Sequence, residues 1–279
     1  MALNEDLNLG PSSAARFLIT FGVAGSGSVG ISPEERESNM LGSISNEQNE
    51  RIDYTLHDVA ENTTDIIVIG HGVTGNKDRP FVVALAERLA ASGFPTVRIS
   101  FSGNGDSEGR FEEATISKEV DDLGCVIDAA SGRSVAYVGH SMGGAVGVLR
   151  ASTDDRIQRL VSLAGMVHTE SFAQTEFGDV VPGQGGMWDD GDCPLSQAYM
   201  DDMAAIHSVA DRGEDIRVPW MLVHGTEDDV VPLQDSLDIY ERANEPKSLV
   251  RIDNADHVFS EHTPQMIRAV VDWFQTTGG

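Results

Sequence analysis

Two serines in this chain lie in the G-x-S-x-G pattern that can turn a hydroxyl into a nucleophile. One is Gly139-His140-Ser141-Met142-Gly143; the other is Gly105-Asp106-Ser107-Glu108-Gly109. With 29 glycines in the sequence a chance match is common, so the surroundings must separate them. A nucleophilic serine of this kind sits on a tight turn between a buried strand and a helix. The glycines are there because side chains would clash at such a turn. Ser141 has the apolar run Val135 to Val138 before it and the helical Ala145 to Leu149 after it. Ser107 lies several residues past its strand, between Asp106 and Glu108, and runs into polar sequence. Neighbouring carboxylates also oppose any alkoxide character. Ser141 is the expected nucleophile.

A serine hydroxyl is a weak nucleophile and needs a base within hydrogen-bond reach. In the strand–turn–helix setting of Ser141 the partners follow in the order acid, then His. Of eight histidines, His257 and His262 come late enough. His257 stands in Asn254-Ala255-Asp256-His257, a loop between the strand Ser248 to Ile252 and the last helix, and is the expected base. His262 reads as a surface residue at the helix entry. The orienting acid belongs after the strand Trp220 to Val223, where Glu227, Asp228 and Asp229 are adjacent and spacing leaves all three open. Acyl transfer also needs donors for a developing oxyanion. The backbone N–H groups of Met142, next to the nucleophile, and of Val73, in His71-Gly72-Val73, are expected to supply them. His71, His140 and His224 each sit at a strand end beside Gly and read as loop-bracing residues. No pair stands at metal-ligand spacing, so neither a metal nor a cofactor is expected.

Positioning these groups requires a particular scaffold. Short apolar strands alternate with amphipathic helices from about residue 51: Ile52 to Leu56, Asp65 to Ile69, Thr96 to Phe101, Val135 to Val138, Leu160 to Ala164, Trp220 to Val223 and Ser248 to Ile252, with helices over Phe81 to Ala91, Ile116 to Ala130, Ala145 to Arg150, Leu233 to Ala243 and Pro264 to Phe274. This is the pattern of an α/β fold with a mainly parallel central sheet covered by helices on both faces. Ligands of such sheets bind beyond the carboxyl ends of the strands, where all the candidates above fall. Residues 166–217 break the rhythm with Gly, Asp and Met and read as an insertion over one end of the sheet. Residues 1–50, rich in Ser, Gly, Asn and Glu, read as a poorly ordered extension. Within them Gly25-Ser26-Gly27-Ser28-Val29-Gly30 fits a dinucleotide-binding fingerprint, but Pro33 interrupts the helix such a site needs. A flexible segment is the better account.

The totals narrow the partners. The formal net charge is −26, from 45 acidic and 19 basic residues, which disfavours nucleic acid and anionic membranes and fits a solvated surface suited to high salt. No apolar stretch is long enough for a membrane span. Cys125 and Cys193 make no disulfide framework, so a reduced, cytoplasmic setting is expected. Export is the alternative, raised by the short apolar run Phe17 to Ala24 after Arg16. Oligomeric state cannot be read.

Four motifs occur together and in order: His71-Gly72-Val73-Thr74-Gly75-Asn76-Lys77, Ser100 to Gly109, the Gly139 to Gly144 elbow, and His224-Gly225 with Asp228 and Val231-Pro232. Over about residues 51–275 the chain resembles the α/β-hydrolase superfamily, and within it the cinnamoyl/feruloyl esterase-like and serine-aminopeptidase-like esterases. The resemblance implies a Ser141–His257–Asp228 triad, with an oxyanion hole at Val73 and Met142. It implies a core of residues 51–165 and 218–279, with a short lid from residues 166–217. Phe172, Phe177, Met187, Trp188 and Tyr199 of that lid are the candidates to line the substrate pocket, unless they serve to pack the lid on the body. The implied activity is hydrolysis of small neutral or aryl carboxylic esters through an acyl-enzyme. A thioesterase, peptidase or perhydrolase on the same triad is an alternative, as is a non-catalytic binding protein on the same fold.

Overall fold

A computed structural model describes residues 41–57, 59 and 64–277. The Gly25 to Gly30 motif and the run Phe17 to Ala24 lie outside the described residues.

Continuous apolar runs bounded by glycine form the centre of the molecule. Strands β3 (Tyr54–His57), β4 (Asp65–Gly70), β5 (Thr96–Ile99), β6 (Ser134–His140), β7 (Ile157–Leu163), β8 (Trp220–Gly225) and β9 (Lys247–Ile252) make a seven-stranded sheet in the order β3-β5-β4-β6-β7-β8-β9. β3 pairs antiparallel with β5, and the other neighbours are parallel. Because successive side chains point to opposite faces, each buried strand feeds two cores. Ile66 and Val68 of β4, with Val135 and Tyr137 of β6, face one core. Ile67 and Ile69, with Ala136 and Val138, face the other.

Helices cover both faces. On one side α1 (Pro80–Ala91) contributes Phe81, Val82, Leu85, Ala86 and Leu89, and α7 (Thr263–Thr277) contributes Met266, Val270, Val271 and Phe274. On the other lie α2 (Ile116–Ala129), α3 (Met142–Ala151) and α6 (Leu233–Arg242). Thr115 caps α2 by accepting from the Lys118 N–H, and Pro80 opens α1 at the position where a missing N–H costs nothing. Between β7 and β8 the chain forms α4 (Thr169–Phe177), a 3-10 turn at Met187–Asp189, α5 (Gln197–Ile206) and a second 3-10 turn at Ala210–Asp215. The sequence offers little helical periodicity there.

Several boundaries differ from the sequence reading, the strand expected over Ile52 to Leu56 being split into two, and two of the differences have a clear physical cause. The helix after Ser141 begins at Met142, not at Ala145. Gly143 and Gly144 are poor helix formers, but they are helical here because the chain approaches other backbone closely. A Cβ at Gly143 would meet the His71 carbonyl, and one at Gly144 would lie 2.7 Å from Gly165 Cα. Residues 41–50 were placed in the poorly ordered extension, yet they are built into the body. β1 (Ile44–Ser45) pairs with β2 (Arg51–Ile52), and Leu41 and Ile44 are buried in the core. Asn46 fixes this hairpin. Its Oδ1 accepts from the N–H groups of Gln48 and Glu50, and its Nδ2 donates to buried Asp122 at 2.9 Å.

Among the described residues no helix is long and apolar enough to cross a membrane, and no three His, Cys, Asp or Glu side chains cluster as metal ligands. Cys125 and Cys193 are free.

Candidate active site

The carboxyl ends of β4, β6, β8 and β9 meet along one edge of the sheet and carry the residues singled out from the sequence. Ser141 stands between β6 and α3 with φ 54° and ψ −120°, a left-handed conformation costly for any residue with a side chain. Hydrogen bonds hold it there. Its N–H donates to the Leu163 carbonyl at 3.0 Å, and its own carbonyl accepts from Gly144 at 2.8 Å and Met166 at 3.0 Å. Glycines make the turn passable: a Cβ on Gly139 would strike the Gly143 backbone.

The loop after β4 lies directly against this serine. A Cβ on Gly72 would come within 2.6 Å of Ser141 Cβ and 3.0 Å of its Oγ. The Gly75 N–H closes the loop on the Gly72 carbonyl at 2.9 Å. His71 braces it: its Nε2 accepts from the Phe101 N–H at 3.0 Å, so its Nδ1 carries the proton and donates to the Gly72 carbonyl at 2.9 Å. Burial lowers the His71 pKa to about 4, which keeps it in this neutral form. Val73 follows in the same loop, and Met142 is the first residue of α3.

After β8 the chain turns through Glu227, Asp228 and Asp229. Glu227 and Asp229 are exposed, whereas the Asp228 side chain is fully buried. Asp228 Oδ1 accepts from the N–H groups of Val230 at 3.0 Å and Val231 at 2.8 Å. Its Oδ2 accepts from His257 Nδ1 at 2.8 Å and lies 3.2 Å from His224 Nε2. Burial alone would raise this carboxyl's pKa, but the hydrogen bonds from His224 and His257 and from the backbone hold it below the usual carboxylate range. An ionised Asp228 fixes the His257 tautomer, with the proton on Nδ1 and Nε2 left as the basic nitrogen. His224 is braced as well, between the Ser236 hydroxyl at 2.7 Å and the Val231 carbonyl at 2.9 Å.

His257 and Ser141 border one cavity of about 320 Å³. They are also linked through the residue before the serine. His140 Nε2 donates to the His257 carbonyl at 2.9 Å, and the two imidazole rings lie 4.7 Å apart. Burial, with the neighbouring His257, lowers the His140 pKa to about 3. Nothing in the spacing of the sequence announces this link, because it joins residues 117 positions apart. The alternative serine has no such surroundings. Ser107 donates to the Ser100 carbonyl at 2.6 Å and accepts from the Asp53 N–H at 2.7 Å, which ties the link between β2 and β3 to the loop after β5.

The remaining walls of the cavity are His71, Gly72, Val73, Thr74, Gly75, Arg79, Phe81, His140, Trp188, Val230 and Val258. Of the four aromatic residues expected to line a pocket, Trp188 does so. Met187 is buried and does not line this cavity, and neither do Phe172, Phe177 and Tyr199. Helices α4 and α5 pack on one another and bury them, with Phe177 centred 6.0 Å from Phe172, 6.0 Å from Tyr199 and 5.0 Å from Trp188. Phe177 in turn packs on the Trp188 indole. Arg79, Phe81, Val230 and Val258 were missed, since each lies outside the defining positions of the motifs, and Thr74, inside the His71 to Lys77 motif, carries no signal of its own for a lining role.

The arrangement holds a hydroxyl on a strained turn, an imidazole braced by a buried carboxylate, and a glycine loop packed on the serine. Comparison with known proteins agrees with the fold that carries it. A family model for the alpha/beta hydrolase fold matches residues 65–192. The chain is 24% identical over 213 residues to the mitochondrial palmitoyl-protein thioesterase ABHD10 of Bos taurus, covering 70% of this chain and 67% of that protein. It is 28% identical over 209 residues to the uncharacterized protein YfhR of Escherichia coli O157:H7, covering 71% of this chain and 65% of that one. The chain thus spans about two thirds of the length of these curated relatives. The solved structure of Est1E from Butyrivibrio proteoclasticus with ferulic acid bound superposes with a TM-score of 0.73 at 25% identity, over 84% of this chain and 98% of that one. Mouse alpha/beta hydrolase domain-containing protein 10 superposes with a TM-score of 0.71 at 19% identity, over 84% of this chain and 98% of that one, and shares the fold.

Proposed function

We propose that this chain, which has the α/β-hydrolase fold, is a serine hydrolase cleaving carboxylic esters through an acyl-enzyme. Ser141 attacks the ester carbonyl while His257 Nε2 takes the hydroxyl proton. The negative charge forming on the carbonyl oxygen is met by the backbone N–H groups of Val73 and Met142. Protonated His257 then returns the proton to the leaving alcohol, and the C–O bond breaks to leave Ser141 acylated. Water, deprotonated by the same imidazole, releases the acid and frees the serine. Asp228 stays ionised throughout, holding the imidazole in register and stabilising its positive form.

The observation that carries this reading is the 2.8 Å contact of His257 Nδ1 with fully buried Asp228, at a cavity that Ser141 also borders. The Gly72 approach to Ser141 supports the placement of the oxyanion donors. Residues of α4, α5 and the turns between β7 and β8 act as a lid in this account, through Trp188. The same relay cleaves thioesters, and the similarity to a palmitoyl-protein thioesterase favours including them among the substrates.

The test is p-nitrophenyl butyrate hydrolysis by Ser141→Ala, expected to fall by about 10⁴-fold or more. In parallel, a fluorophosphonate should label Ser141 of the wild-type protein. Full activity in the variant overturns the mechanism.

A further inference from the structure

We propose that the substrate is an ester carrying a single carboxylate, which Arg79 binds at the mouth of the cavity. The inference rests on the hydrolase reading of Ser141 and adds the substrate class to it.

The cavity wall is anomalous for this molecule. The chain has 45 acidic residues, yet none of the residues lining the cavity is Asp or Glu. The two buried histidines of the wall, His71 and His140, are neutral near pH 7, having pKa values lowered to about 4 and about 3. Arg79 is therefore the permanent cation of the lining. Eight other arginines, Arg51, Arg98, Arg110, Arg150, Arg156, Arg159, Arg212 and Arg242, form ion pairs, whereas the other arginines without one, such as Arg88 and Arg268, lie away from this cavity. Arg79 forms none among the described residues. Its one side-chain hydrogen bond runs from Nη2 to the Thr74 carbonyl at 2.9 Å.

That bond anchors the guanidinium to the glycine loop packed on Ser141, and it leaves N–H groups on Nε, on Nη1 and on Nη2 itself. Two of these on one edge match the two oxygens of a carboxylate. The same wall carries apolar groups. Phe81 and Val230 contribute, and so do Trp188 at 44% and Val258 at 42% exposure, two large hydrophobic groups left open to solvent. An ester arm with a short apolar spacer and a terminal carboxylate satisfies both features. A polyanion does not, because one guanidinium faces it against a formal net charge of −26.

Two pairs of esters test this. On the acyl arm, mono-p-nitrophenyl adipate is compared with p-nitrophenyl hexanoate; on the alcohol arm, para-carboxyphenyl butyrate with phenyl butyrate. The readout is the ratio of kcat/KM, anionic over neutral, in wild type, Arg79→Gln and Arg79→Lys. The ratio in at least one pair should drop about tenfold in Arg79→Gln, as expected for loss of a charge-assisted pair, with Arg79→Lys keeping part of it. An Arg79→Gln ratio equal to wild type in both pairs overturns the assignment. If the wild-type protein hydrolyses none of the four esters, the hydrolase reading fails, and calorimetric titration with para-carboxyphenyl butyrate decides the Arg79 site separately. Affinity about tenfold weaker in Arg79→Gln supports it; equal affinity, or no binding to wild type, overturns it.

Discussion

At the scale of single residues, the site is a set of positions where a side chain has one job because its neighbours remove the others. Asp228 illustrates it. Four N–H donors converge on a carboxylate with no solvent exposure, two from backbone and two from imidazoles. Such a group can neither leave nor take up a proton near neutrality, so it acts only through His257. Replacing it by Asn preserves the volume but offers His257 an amide that can favour the wrong tautomer. Asp228→Asn should lower kcat on p-nitrophenyl butyrate by about 10³–10⁴-fold while leaving the far-ultraviolet spectrum native. A loss below about tenfold would mean that His257 does not need this carboxylate. Three adjacent acids follow β8, and spacing alone left Glu227, Asp228 and Asp229 open. What separates them is the turn, which buries Asp228 and exposes the other two.

At the scale of elements, the parallel strands and the helices packed on them were legible because a strand buried on both faces is a continuous apolar run, and a covering helix has a 3.6-residue stripe. The hairpin of β1 and β2 was not legible. Each strand has two residues, too few for any period, and its neighbours in sequence are polar. Its stability comes from contacts 76 residues away, through Asn46 and Asp122, which no local pattern encodes. Asp122 also accepts from the Ser102 N–H at 2.8 Å, so one buried carboxylate joins the hairpin, α2 and the loop after β5. Asn46→Ala removes a donor from Asp122 and an acceptor from two backbone N–H groups. It should cost about 2 kcal/mol, read as a lower denaturant midpoint at unchanged slope. No shift in the midpoint would show the hairpin to be dispensable for the fold. The pocket lining was misread for a related reason. Aromatic residues in an irregular segment look equally suited to a ligand and to a core, and only the packing of α4 on α5 puts Phe172, Phe177 and Tyr199 in the core.

For the whole molecule, the buried histidines set how stability responds to acid. His71 and His140 stay neutral in the folded protein down to about pH 4 and about pH 3, whereas in the unfolded chain they protonate near their ordinary value of 6.5. Below pH 6.5 the unfolded state therefore binds more protons. The stability these groups contribute is complete above 6.5 and is lost as pH falls through their folded values. Buried Glu119 acts in the opposite sense, since burial and the nearby Asp122 and Asp202 raise its pKa. The two influences are separable by mutation. Tm should decline with falling pH less steeply between pH 6.5 and 4 in His140→Gln than in wild type; parallel curves would contradict the assignment of a neutral buried His140.

The hydrogen bond from His140 to the main chain of His257 has a mechanical consequence. The proposed attacking group, Ser141, and its proposed proton acceptor, His257, come from segments 116 positions apart in sequence, which in a breathing sheet could drift independently. Strapped together at adjoining residues, they ride as one body. A displacement of the central strand carries the acceptor's loop along with it, and thermal motion of the scaffold is spent on the rim of the cleft instead of on the gap across which the proton must jump.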